Sequence, residues 1–120
     1  MRLKKICLVI VVSMFFAMGA YSGGIEEVSK DPRFAEAQGS YLKGVEFEER
    51  GDNEFRSRPG KAQRQYETAE DYYTIAIFKY KELGTEYGVD MSKDIDICEK
   101  RNRQLHVKTG KARRKANKVH

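Results

Sequence analysis

The sequence predicts an all-α protein in which an antiparallel helical hairpin is closed by a third, capping helix, with a signal peptide before it and a basic tail after it. Three observations predict this. In residues 66–83, Tyr66, Ala69, Tyr73, Ala76, Ile77 and Tyr80 recur at three-then-four spacing and fall on one helical face. Helix punctuation recurs at the right intervals, with Asp31-Pro32 as a start and Gly51 and Gly84 as stops. A second apolar stripe, Met91, Ile95, Cys98 and Leu105, follows after a short link that Asp90 can cap.

Taken in order, residues 1–22 read as a secretory signal peptide. Arg2, Lys4 and Lys5 give a basic start, residues 6–17 an apolar run, and Ala20 and Ser22 a small-x-small site for cleavage after Ser22. The protein is therefore expected to be exported, periplasmic or secreted. The alternative is an uncleaved anchor in the inner membrane, for which the apolar run is shorter than the ~20 residues of a usual span. Residues 23–30 form a polar lead-in without a period. The helical domain is expected over residues 31–107. Its first helix runs over residues 32–50 with Ala37, Tyr41, Gly44, Val45 and Phe47 inward and Glu46, Glu48, Glu49 and Arg50 solvated. Gly51 ends that helix in a left-handed conformation, a loop with Pro59-Gly60 as its turn follows, and a second helix spans residues 61–83. Residues 108–120 offer little to bury and much self-repulsion, so they read as a disordered tail or a frayed end of the third helix.

Net charge conceals a division. The chain carries 23 Lys and Arg against 18 Asp and Glu, a formal +5. Nine of the basic residues lie from Lys100 onward with no acidic residue among them, and three lie in the first 22. Eleven therefore remain against all eighteen acidic residues in residues 23–99, a body of −7 beside a tail of +9.

The first two helices resemble a tetratricopeptide repeat. Gly44, Phe47 and Gly51 keep the family's helix A intervals, and Tyr66, Ala69, Tyr73 and Ala76 keep those of helix B. The chain departs from the family in an inter-helix segment about thirteen residues longer than its tight turn and in Lys81 where a proline is expected. The resemblance implies a single divergent repeat, with Gly44, Ala69 and Ala76 small where the helices cross and Phe47 and Tyr73 filling the space beside them. An unrelated three-helix bundle would use small residues and aromatic stripes in the same way. One repeat buries too little by itself, which implies self-association or a partner protein in the envelope.

Few residues suggest chemistry. Asp94 and Asp96 point to different faces of their helix, Glu46 and Glu49 read as solvated, and the two histidines, His106 and His120, lie in or beside the basic tail. No catalytic residue, cofactor or metal site is expected. Tyr66, Tyr73 and Tyr80 read as core with their hydroxyls at a wet rim, whereas Tyr72 and Tyr87, off the main stripe, are candidate partner contacts. Lys108, Lys111, Arg113, Arg114, Lys115 and Lys118 are candidates for binding a polyanion such as anionic lipid or cell-wall polymer. Specific nucleic-acid binding is disfavoured, because no aromatic residue follows Lys100.

Overall fold

The computed structural model describes residues 23–118, and the expected signal peptide lies outside them. Helix α1 spans Gly23–Lys30, α2 Pro32–Glu54, α3 Pro59–Tyr87 and α4 Ser92–Lys118, with no strand among the described residues. The long helices alternate in direction, and α2 and α4 pack side by side on adjacent lines of one face of α3 in a rod about 57 Å long.

The start of α2 follows the sequence closely. Asp31 Oδ1 accepts from the Arg33 amide at 2.9 Å, and Pro32 occupies the first turn, where its missing N–H costs nothing. Its end does not: Gly51 lies inside the helix, which runs on to Glu54. The link to α3 is only residues 55–58, and Pro59-Gly60 opens α3 instead of turning the loop. The extra inter-helix residues are thus absorbed by lengthening both helices. Helix α3 likewise passes Gly84 and ends at Gly88, whose φ of 63° is the left-handed cap, while the Val89 amide donates to the Gly84 carbonyl at 3.0 Å. Asp90 Oδ1 accepts from the Ser92 amide at 2.9 Å and starts α4.

Two seven-residue ladders on α3 organise the core. Tyr66, Tyr73 and Tyr80 are buried with Gly51, Gly44 and Ala37 of α2, which step by seven in the opposite direction. Ala62, Ala69, Ala76 and Leu83 are buried with Ala112, Leu105, Cys98 and Met91, again in opposite order. A period of seven on both partners keeps each ladder in register, and on the α2–α3 seam it sets a small residue, Ala37, Gly44 or Gly51, opposite each ring. Burying a ring of tyrosine size contributes about 1.5–3 kcal/mol relative to leaving it exposed, so three such rings form the main apolar investment of the hairpin.

Two segments without a visible period are also packed. Val28 of α1 is fully buried with Phe34, Leu83 and Met91, so the lead-in closes one end of the rod. Residues 108–118, expected as a disordered tail or a frayed end, continue α4 as helix with Thr109 and Ala112 buried. Charge density hid the ladder there, since Ala112 stands seven after Leu105.

The glycines at the α2–α3 seam are required by space. A Cβ on Gly44 would lie 2.5 Å from Tyr73 Cε1, and one on Gly51 would lie 2.5 Å from Tyr66 Cε1. Gly39 has nothing within 4 Å of such an atom. Gly44→Ala is therefore expected to destabilise by about 1–3 kcal/mol net of its gain in helix propensity. Gly39→Ala should stabilise by about 0.5–1 kcal/mol. Denaturant unfolding of the two variants checks this, and equal behaviour would contradict the seam.

Candidate functional site

The tyrosine ladder brings hydroxyls into the core, and each must find a partner. Tyr73 Oη donates to Glu48 Oε1 at 2.8 Å, and Tyr66 Oη donates to Asp52 Oδ1 at 2.7 Å. The rim that these hydroxyls reach is made of carboxylates. Burial first, then these carboxylates, push both phenols well above their usual range. Glu48 is a correction to the expected solvated face of α2, being only 6% exposed. It lies four residues after Gly44 and three before Gly51, on the inner line of the helix.

The two carboxylates in turn hold α4. Lys108 Nζ lies 2.8 Å from Glu48 Oε2 and 3.1 Å from both oxygens of Asp52. Arg101 Nη1 is 3.4 Å from Glu48 Oε1, and its guanidinium sits 5.5 Å from the Tyr41 ring centroid. Burial alone would lower the Lys108 pKa, but the hydrogen bonds to Glu48 and Asp52 outweigh it and the ammonium is held above its usual value. Lys108 is therefore turned inward as the cation of a structural clasp, which corrects its placement among outward polyanion contacts.

The other candidates divide. Gly44, Gly51, Tyr66, Ala69, Tyr73 and Ala76 are buried in the seams, while Phe47 lies at their edge, stacked on Tyr72 with centroids 5.5 Å apart. Tyr72 is thus partly covered. Tyr87 is engaged as well: its hydroxyl donates to Asp31 Oδ2 at 2.8 Å, beside the Arg33 guanidinium that holds the Asp31 carboxyl far below the usual range. Lys111, Arg113, Arg114 and Lys118 are exposed, and Lys115 Nζ lies 4.8 Å from the Phe55 ring centroid. Large apolar side chains remain exposed at Ile75, Phe78, Ile97 and Val107. Phe78 lies off the buried stripe, so the helical spacing gives no signal for it. A depression of about 380 Å³ beside it is lined by Lys81, Glu82, Thr85 and Glu86.

Cys98 is buried among apolar neighbours, and burial pushes its thiol up to about 12. Asp94, one turn earlier, is partly buried, and burial raises its carboxyl from 3.8 to about 6 against a small opposing effect of Lys93. Among the described residues no three His, Cys, Asp or Glu side chains are placed to hold a metal ion, and no helix is long and apolar enough to cross a membrane. No family model, curated protein or solved structure matches the chain.

Glu48→Ala strips Tyr73, Arg101 and Lys108 of their shared acceptor. An expected loss of about 2–4 kcal/mol reflects a buried pair broken on one side, discounted because Lys108 keeps some access to water. A double-mutant cycle with Lys108→Ala should recover a favourable coupling, and strict additivity would contradict the clasp.

Asp94 carries the opposite sign from a paired acid. Its folded pKa is raised, so the folded chain holds more protons between pH 3.8 and about 6, stability falls as pH rises through that window, and the cost is complete above it. Asp94→Asn should therefore be more stable than the parent at pH 7 by about 1–2 kcal/mol after allowance for solvent screening and the lost helix-dipole contact. The margin should vanish near pH 4. Thermal melts at both pH values check it.

Proposed function

We propose that the protein is an exported, non-catalytic helical interaction module of tetratricopeptide-like type, which docks another envelope protein or a second copy of itself. The outer face of α3 carries the reading. There Phe78 is 66% exposed and Ile75, one turn earlier, 44% exposed, although the opposite face of the same helix is packed on both α2 and α4. Isolated exposed apolar residues need no explanation, but an aromatic and a β-branched side chain on adjacent turns beside a concave surface form an anchor of the kind that interfaces use. Lys81, Glu82 and Glu86 around the depression provide a charged rim.

The seven residues shared with the tetratricopeptide pattern are the sequence basis of this reading, with one difference from the crossing it implies: Gly44 and Gly51 are small against Tyr73 and Tyr66 themselves, whereas Ala69 and Ala76 are buried with Leu105 and Cys98. Closure by α4 alters one part of it. The hairpin's second side is covered within the chain, so the partner is expected on the outer face of α3 and not as a completion of the core.

Sedimentation velocity of the chain from Gly23 onward is the test, together with recovery of cross-linked partners from an envelope extract. Phe78→Asp is expected to abolish self-association or partner recovery while leaving the melting temperature within a few degrees. A parent chain that stays monomeric and cross-links to nothing, or a variant that behaves as the parent does in both assays, would overturn the reading.

A further inference from the structure

Antiparallel packing sorts the charges along the rod. The end of α2, the link, the start of α3 and the end of α4 lie together, as the burial of Ala62 with Ala112 and the seat of Lys115 over Phe55 require. Residues 50–64 and 108–118 at that end hold eleven Lys or Arg against Asp52 and Glu54, a net +9. Residues 26–36 and 79–99 at the other end hold ten acidic against five basic residues, a net −5.

Within the basic end the cations have different employments. Lys108 is taken by Glu48 and Asp52, Arg50 by Glu46, and Lys61 lies 3.7 Å from Glu54. Arg56, Arg58, Arg64, Lys111, Arg113, Arg114 and Lys118 are exposed and form no ion pair among the described residues. Three of these come from the link and the start of α3, far in sequence from the tail. Lys111, Arg114 and Lys118 follow at three-then-four spacing on one face of α4, continuing a line that begins with the exposed Val107.

We propose that this basic end is a docking surface for an anionic lipid bilayer, formed jointly by the α2–α3 link and the last three turns of α4. Charge complementarity selects the occupant class: each basic side chain near an anionic bilayer contributes about 1 kcal/mol, roughly a fivefold gain in partition, and seven unneutralised ones at one tip act together. A planar field of headgroups also suits the geometry better than a nucleic-acid strand does. The charges cover the end of a rod, and Phe55, the ring amid them, lies under the Lys115 ammonium instead of being open to stack on bases. The surface is at the rod's end and is distinct from the Phe78 face, so the two can fail separately.

The chain from Gly23 onward contains both core clusters and is the form to test. Vesicles of phosphatidylcholine alone are compared with vesicles containing about 30% phosphatidylglycerol, by co-sedimentation at low and at raised salt. Binding is expected on the anionic vesicles only and should weaken steeply with salt. Arg56→Gln/Arg58→Gln/Lys111→Gln should lower the partition roughly a hundredfold, whereas Lys30→Gln/Lys43→Gln/Lys100→Gln, which removes the same charge elsewhere, should lower it no more than a few fold. All six positions are exposed, and matching melts establish that each triple variant is folded. Equal losses in the two variants, equal binding to neutral vesicles, or retention by inorganic polyphosphate or single-stranded DNA without binding to anionic vesicles would overturn the proposal.

Discussion

A tyrosine ring lying flat against a glycine is the contact on which the rest of the structure depends. Gly44 and Gly51 let α2 approach α3 closely enough for Tyr73 and Tyr66 to be buried. Burial of a phenol imports a hydroxyl, and the hydroxyls call for Glu48 and Asp52. Two carboxylates one turn apart at the edge of a core would be costly alone, so they require the cations that Arg101 and Lys108 supply from α4. The hairpin seam thereby fixes where the third long helix must lie. Apolar contact through Leu105 and Ala112 provides area, and the clasp provides register.

Much of this architecture is legible in the residues, and its errors have a common origin. The inward positions of α3 follow directly from spacing, because aromatic and small residues there are unambiguous. Residue type puts Glu48 in solvent, whereas its position, between Gly44 and Gly51 on the inner line, puts it in the core. In the same way the charge of residues 108–118 outweighed the step from Leu105 to Ala112, and the helix was lost from view. Lone glycines misled in the other direction. Gly51 and Gly84 are small because a ring and a returning chain press on them, whereas only Gly88 has the backbone conformation of a stop. A single apolar residue, Val28, gives no period at all, so α1 had no signal to read.

Candidate surfaces were less legible than the fold for a physical reason. Whether a lysine faces solvent or a carboxylate depends on pairs far apart in sequence, such as Lys108 with Glu48. Spacing within one helix specifies a face but not its neighbour. Tyr87 likewise reads as a candidate partner contact until Asp31 is placed beside it, and the tail reads as separate from the α2–α3 link until Lys115 is placed over Phe55.

The clasp also bears on how the basic end would work. An isolated segment as cationic as residues 108–118 repels itself and would remain extended, losing chain entropy of about 1–2 kcal/mol per residue whenever a surface ordered it. Here that cost has already been met in folding, by the burial of Leu105, Thr109 and Ala112 and by the one lysine, Lys108, that is withdrawn from the outer face. Lys111, Arg114 and Lys118 are then presented at the fixed rise of a helix and not on a wandering chain. Giving up one cation to the interior thus pre-orders those that remain outside, which favours binding through a reduced entropic cost without any added contact.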